Sequence, residues 1–166
     1  MSSLIFNAVD VCEVAKKIER NGQTFYAKAA EVMPDAESKK VMLDLEAMER
    51  AHEKIYEELQ AALSGSETEE TLYDPHDEAY KFLRRMADQY VFDPQERPER
   101  VFEPGMPVEA ILDVAIEREK DSIIFYEGIK AMVPEKYGRS RISDIIEEEM
   151  SHVILLSSQK QRLQKT

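Results

Sequence analysis

The sequence predicts an all-α fold, a four-helix bundle made of two duplicated helical hairpins with a long crossover between helices two and three. Three observations predict it. Glycine is scarce, with 5 in 166 residues, and Gly65, Gly105 and Gly138 fall between segments of helical period. The second and third helical segments are separated by about 40 residues, too many for a hairpin turn. The two halves of the chain also repeat each other at an offset of 100 residues.

The first helix is expected over residues 10–33. Asp10 suits an N-cap with Glu13 three residues on, and Pro34 closes the segment after Met33. The second, over 35–63, stops at Ser64-Gly65, a helix-ending pair. The third, over 107–133, opens with Pro107 in a first-turn position and ends before Pro134. The fourth, over 140–163, carries Lys160 and Arg162 in its last turn and Lys165 beyond, which suits the negative end of the helix dipole. The crossover, 64–106, starts acidic at Glu67, Glu69 and Glu70. It then reads as a short helix over 76–90 and a run punctuated by Pro94, Pro98 and Pro104. One domain spanning 1–166 accommodates all of it. Two tight hairpins joined by one long crossover is the connectivity of ferritin-like bundles.

The repeat carries the chemistry. Ala15 matches Ala115, Glu19 matches Glu119, and Phe25-Tyr26 matches Phe125-Tyr126. Pro34, Asp44, Glu49 and His52 match Pro134, Asp144, Glu149 and His152. Each half is therefore a hairpin with one Glu on its first helix and Glu-x-x-His on its second. Steps of three and four place these groups on seams that are otherwise apolar, small or aromatic. Helix two reads Met42, Leu45, Glu49, His52, Tyr56, Leu59, Leu63, and helix four reads Ile142, Ile145, Glu149, His152, Leu156, Gln159, Leu163. Helix one reads Cys12, Ala15, Glu19, Gly22, Tyr26, Ala29, Met33, and helix three Leu112, Ala115, Glu119, Ser122, Tyr126, Ile129, Val133.

A bare buried carboxylate loses several kcal/mol to desolvation or takes up a proton, and four converging carboxylates also repel one another. Two divalent cations remove both problems, with neutral imidazoles completing the shells. Residues i and i+3 share a helical face, so each Glu-x-x-His can reach one ion pair. A Glu from each of two helices with Glu-x-x-His from the other two is the pattern of di-iron and di-manganese carboxylate bundles. The competing reading is a buried salt-bridge network of Glu with protonated His; no Lys or Arg stands on the seams to balance four carboxylates. A zinc-protease reading fails because Tyr56 stands where His-Glu-x-x-His needs its second His.

On Glu19, Glu49-Arg50-Ala51-His52, Glu119 and Glu149-Met150-Ser151-His152, with the Phe-Tyr pair after each lone Glu, the chain resembles the rubrerythrin branch of the ferritin-like di-iron superfamily. The resemblance covers the four helices. It implies two Fe ions, with Mn or Zn as substitutes, bridged by Glu49 and Glu149 and capped by Glu19, Glu119, His52 and His152. It also implies a homodimer. Full rubrerythrins add a four-cysteine rubredoxin site, which a chain with 1 Cys does not have, so electrons would come from an external donor. They also place a further carboxylate one turn beyond the third-helix ligand, where this chain has Ser122, with Gly22 as its mate. The function implied is an oxidoreductase in which Fe(II)/Fe(II) reacts with peroxide or O2. The alternatives are an iron-handling ferroxidase or iron-binding protein, and an interaction module with a structural metal site.

Around these residues, Tyr26 and Tyr126 lie two turns past their Glu on the same face. They can hold a neighbouring helix's carboxylate, relay electrons, or fill the core. Gly22 and Ser122 leave room for a small oxidant or allow close helix packing. Asp44 and Asp144 read as solvated, His76 as a surface residue, the methionines as core, and Cys12 as a buried inert thiol. A net charge of −12 from 22 basic and 34 acidic residues argues against nucleic acid and against an anionic membrane surface. No apolar run nears the ~20 residues of a membrane span, and Met1 to Val14 lacks the basic flank of a signal peptide. With a single Cys, a reducing, cytoplasmic location is expected.

Overall fold

The computed structural model describes residues 8–62, 106–132 and 139–165, with positions 81 and 135. Among them the chain forms four long α-helices and no strand. These are α1 (Ala8–Val32), α2 (Ala36–Ala62), α3 (Val108–Met132) and α4 (Arg139–Leu163). The expected short helix over 76–90 and nearly all of the crossover lie outside the described residues.

The helix ends follow local chemistry, with small departures from the sequence expectation. α1 begins at Ala8, so Asp10 lies inside the first turn rather than capping it. Met33 falls just beyond α1 because the residue before a proline is driven out of the helical region. Asp35 caps α2: its Oδ1 accepts the Ser38 N–H at 2.8 Å, and its carbonyl accepts the first helical bond from Lys39 at 3.0 Å. That hydrogen bond holds the exposed Asp35 carboxyl below its usual range. Pro107 precedes α3 instead of opening it, its carbonyl accepting from Ala110 and Ile111 at 3.0 and 3.2 Å. Asp35→Ala is expected to lower the thermal midpoint with unchanged helix content, since the cap it removes satisfies a helix N–H.

α1 packs along α2 and α3 along α4, while α2 meets α4 and α1 meets α3, giving a closed ring of four. Polar clasps pin the ring at its rim. Gln60 joins Lys16 at 2.6 Å and Glu13 at 2.7 Å, and Glu53 takes both Arg20 and Gln23. The α4 cations reach other helices: Lys160 pairs with Asp113, Arg162 with Glu37, and Arg141 with Glu58 at 2.8 Å. Gln159, a polar residue on the apolar seam of α4, is satisfied by the buried Ser38 hydroxyl at 3.2 Å.

The described seam residues are all buried except Leu163, which is half-buried at the end of α4. The buried stripe is wider than the seams alone, because Ile18, Ile111, Ile116 and Ile146 are also inside. The duplication is visible in the packing. Phe25 meets Tyr26 edge-on at 5.2 Å, and Phe125 meets Tyr126 edge-on at 5.4 Å. Asp44, paired with Lys40, and Asp144 lie on the solvated side. None of the described helices is long and apolar enough to cross a membrane.

Candidate metal centre

Each of the four helices delivers its polar seam residue to the middle of the bundle. Glu19 comes from α1, Glu49 and His52 from α2, Glu119 from α3, and Glu149 and His152 from α4, all between 0 and 3 % exposed. They form two overlapping groups, Glu19-Glu49-His52-Glu149 and Glu49-Glu119-Glu149-His152. Within each group the ligand atoms lie within 4.8 Å of one another. Glu49 and Glu149 belong to both.

The imidazoles stack across the centre, with ring centroids 5.7 Å apart and 18° between planes. His52 Nδ1 lies 3.1 Å from Glu149 Oε1 and 3.6 Å from Glu19 Oε2. His152 Nδ1 lies 2.9 Å from Glu149 Oε2 and 3.4 Å from Glu119 Oε2. Despite these short approaches, one atom of each of the six residues is buried without a properly directed hydrogen bond. They are Glu19 Oε2, Glu49 Oε1, His52 Nδ1, Glu119 Oε2, Glu149 Oε2 and His152 Nδ1. Buried polar atoms are ordinarily paired. Six that crowd together without a directed hydrogen bond converge on the same small space, and this donor set of carboxylate oxygens and imidazole nitrogens fits two cations.

The remaining atoms of these groups are held from outside. Tyr26 on α1 donates to Glu119 Oε1 on α3, and Tyr126 on α3 donates to Glu19 Oε1 on α1. Each tyrosine takes one oxygen of a Glu in the opposite hairpin and turns the other, Oε2, to the centre. Burial and the surrounding carboxylates push both phenols well above their usual pKa, so they remain donors. Of the readings open for the tyrosines, the contact seen is with a neighbouring helix's carboxylate. His52 Nε2 meets Glu148 Oε2 at 3.0 Å. An ionised carboxylate only accepts, so this contact assigns the ring proton to Nε2 and leaves the Nδ1 lone pair facing inward when the ring is neutral.

The electrostatics show why the centre calls for positive charge. Burial, then the charges of Glu149, Glu19 and Glu119, push the Glu49 carboxyl well above the usual range. Burial and Glu149 raise Glu119 to about 8. Burial works to lower both imidazoles, yet Glu149 and Glu19 outweigh it at His52, which rises to about 11. Glu119 and Glu149 do the same at His152, which rises to about 9. Glu149 is the exception among the acids. Its own burial would raise it, but both imidazoles lie against it and hold it below the carboxylate range. Without cations, protons therefore occupy the centre.

Two readings of the sequence are narrowed. A Cβ at Gly22 would stand 3.0 Å from Glu49 Cδ and Oε2, so the missing side chain there accommodates the Glu49 carboxylate. Cys12 is buried, and burial pushes its thiol up to about 11, as suits an inert thiol. Two contacts have no signal in the linear sequence. Glu148 reaches across to the other half's histidine, and Tyr56 stacks on Tyr126 at 5.7 Å.

No protein-family model and no curated protein matches the chain. Among solved structures, the chain is similar to a candidate ferritin-like diiron-carboxylate protein from Thermotoga maritima. The two share 25% identity at a TM-score of 0.67, over 96% of this chain and 98% of that one. The four-helix bundle is ferritin-like, and its buried Glu/His cluster is compatible with a di-metal site.

Proposed function

We propose that the chain is a non-haem di-iron oxidoreductase, with Glu19, Glu49, His52, Glu119, Glu149 and His152 as its metal ligands. The observation that carries this reading is the set of six buried ligand atoms without a directed hydrogen bond, converging from four helices. Two iron ions held there would supply electrons to peroxide or O2 and regain them from an external donor. Glu49 and Glu149, which belong to both groups, would help to hold both ions. Glu19 with His52 serves one position and Glu119 with His152 the other. Tyr26 and Tyr126 fix the orientation of the terminal carboxylates, and the surrounding apolar layers exclude bulk water.

A rubredoxin-free relative of rubrerythrin, forming one domain over residues 1–166, homodimeric and cytoplasmic, remains our reading of the resemblance. Ser122 in place of an additional carboxylate favours a six-ligand centre within that branch. The test is anaerobic loading with Fe(II), an O2 or peroxide pulse, and then an added reductant. Rapid oxidation at two irons per chain, reversed by reductant, is the expected result. Slow oxidation with iron release would assign the chain to iron handling. The absence of any optical change would leave the metal a structural role.

A further inference from the structure

The two cation positions are related by the internal duplication, and the duplication breaks beside one of them. His52 carries a carboxylate on its outward nitrogen, Glu148 Oε2 at 3.0 Å from Nε2. The residue at the duplicated position, 100 earlier, is Met48, whose thioether replaces that carboxylate. A second break falls on the same side. Tyr126, which donates to Glu19, is backed by the stacked ring of Tyr56, whose duplicate is Leu156. The Glu19/His52 position is thus braced at both of its terminal donors by groups its twin does not inherit.

A carboxylate on the far nitrogen of a metal-binding imidazole fixes the tautomer, orients the ring and makes the inward nitrogen more basic. From this asymmetry, and resting on the di-metal reading above, we infer that the two positions are unequal and that the Glu19/His52 position takes the first ion, with Glu148 as the positioning residue. Glu148 is suited to this role because its side chain is 56% exposed. Its charge is solvated rather than added to the four buried carboxylates, and its removal opens no core cavity. The half-loaded protein is then a defined species with its ion at Glu19, His52 and the two shared carboxylates.

The test is an anaerobic titration of the metal-free protein with Co(II) at neutral pH, followed by calorimetry and ligand-field absorption. The wild type is expected to bind two ions in two resolved steps. Glu148→Ala is expected to weaken the first step about 10–100-fold, merging the two while the total stays at two. Glu148→Gln, which keeps an acceptor oxygen, should fall between them, and Met48→Glu should tighten the second step. If two ions bind in one unresolved step in the wild type, or if Glu148→Ala weakens both steps equally or neither, the inference is overturned while the di-metal reading stands. Failure to bind two ions at all would overturn both.

Discussion

Glu149→Ala and Glu49→Ala are each expected to lower the metal content from two ions per chain to one or none, because each residue serves both positions. Glu19→Ala or Glu119→Ala removes a ligand from one position only and should leave close to one ion. The two shared carboxylates are expected to differ sharply when metal is removed. Both imidazoles lie against Glu149, so Glu149→Gln strips two buried cations of their common partner. Breaking a buried ion pair from one side costs about 3–5 kcal/mol. Glu49 instead takes a proton when no cation neutralises its neighbours, so Glu49→Gln replaces one neutral group with another of the same shape. The metal-free stability of that variant should stay within about 1 kcal/mol of wild type. Elemental analysis and denaturant unfolding in chelator check both halves. Equal stability losses in the two variants would contradict the assigned charge distribution.

The metal-free protein is expected to lose stability as pH rises from 6 to 9. Glu119 is raised to about 8, His152 to about 9 and His52 to about 11, and Glu49 is raised as well. A group with a raised folded pKa contributes stability that is full below its unfolded value and is lost as pH climbs through the folded one. Glu119 is therefore lost on the way to pH 8, and the histidines between their ordinary value and pH 9–11. Glu149 acts oppositely, since its depressed pKa costs stability only as pH falls through the acid range. The contribution of these groups should be greatest near the ordinary glutamate pKa of 4.5, where Glu149 is already ionised and Glu119 and Glu49 are only beginning to lose their protons in the unfolded chain. The loss by pH 9 should be at least about 3 kcal/mol, or roughly 10 °C in thermal midpoint. Cations displace the same protons, so loading should release protons, tighten with pH and flatten the profile. A midpoint in chelator that does not change between pH 6 and 9 would contradict this.

Much of the site was legible because helical spacing is rigid. Once Glu49 and His52 share a seam with Met42, Leu45 and Tyr56, their burial follows, and the repeat at offset 100 brings a matching pair from the other hairpin. Spacing along one helix is silent about rotation and height between helices. It placed Tyr26 and Tyr126 on the right faces without saying that each would hold the opposite hairpin's Glu. It gave no sign that Glu148, one of three consecutive acids, reaches His52. At Gly22 the sequence showed a missing side chain, and only the packing shows that the Glu49 carboxylate lies against it. Helix ends shifted by one or two residues because Asp10 and Pro107 are each compatible with more than one position in a first turn.

The central claim is that four helices converge on two cations through six side chains. An anomalous-scattering map of crystals grown with iron, recorded at its absorption edge, tests it most directly. Two peaks are expected, roughly 3.5–4 Å apart, both touching Glu49 and Glu149, one also touching Glu19 and His52 and the other Glu119 and His152. A map with no peak among these six residues, or with iron only on the acidic surface, would contradict it.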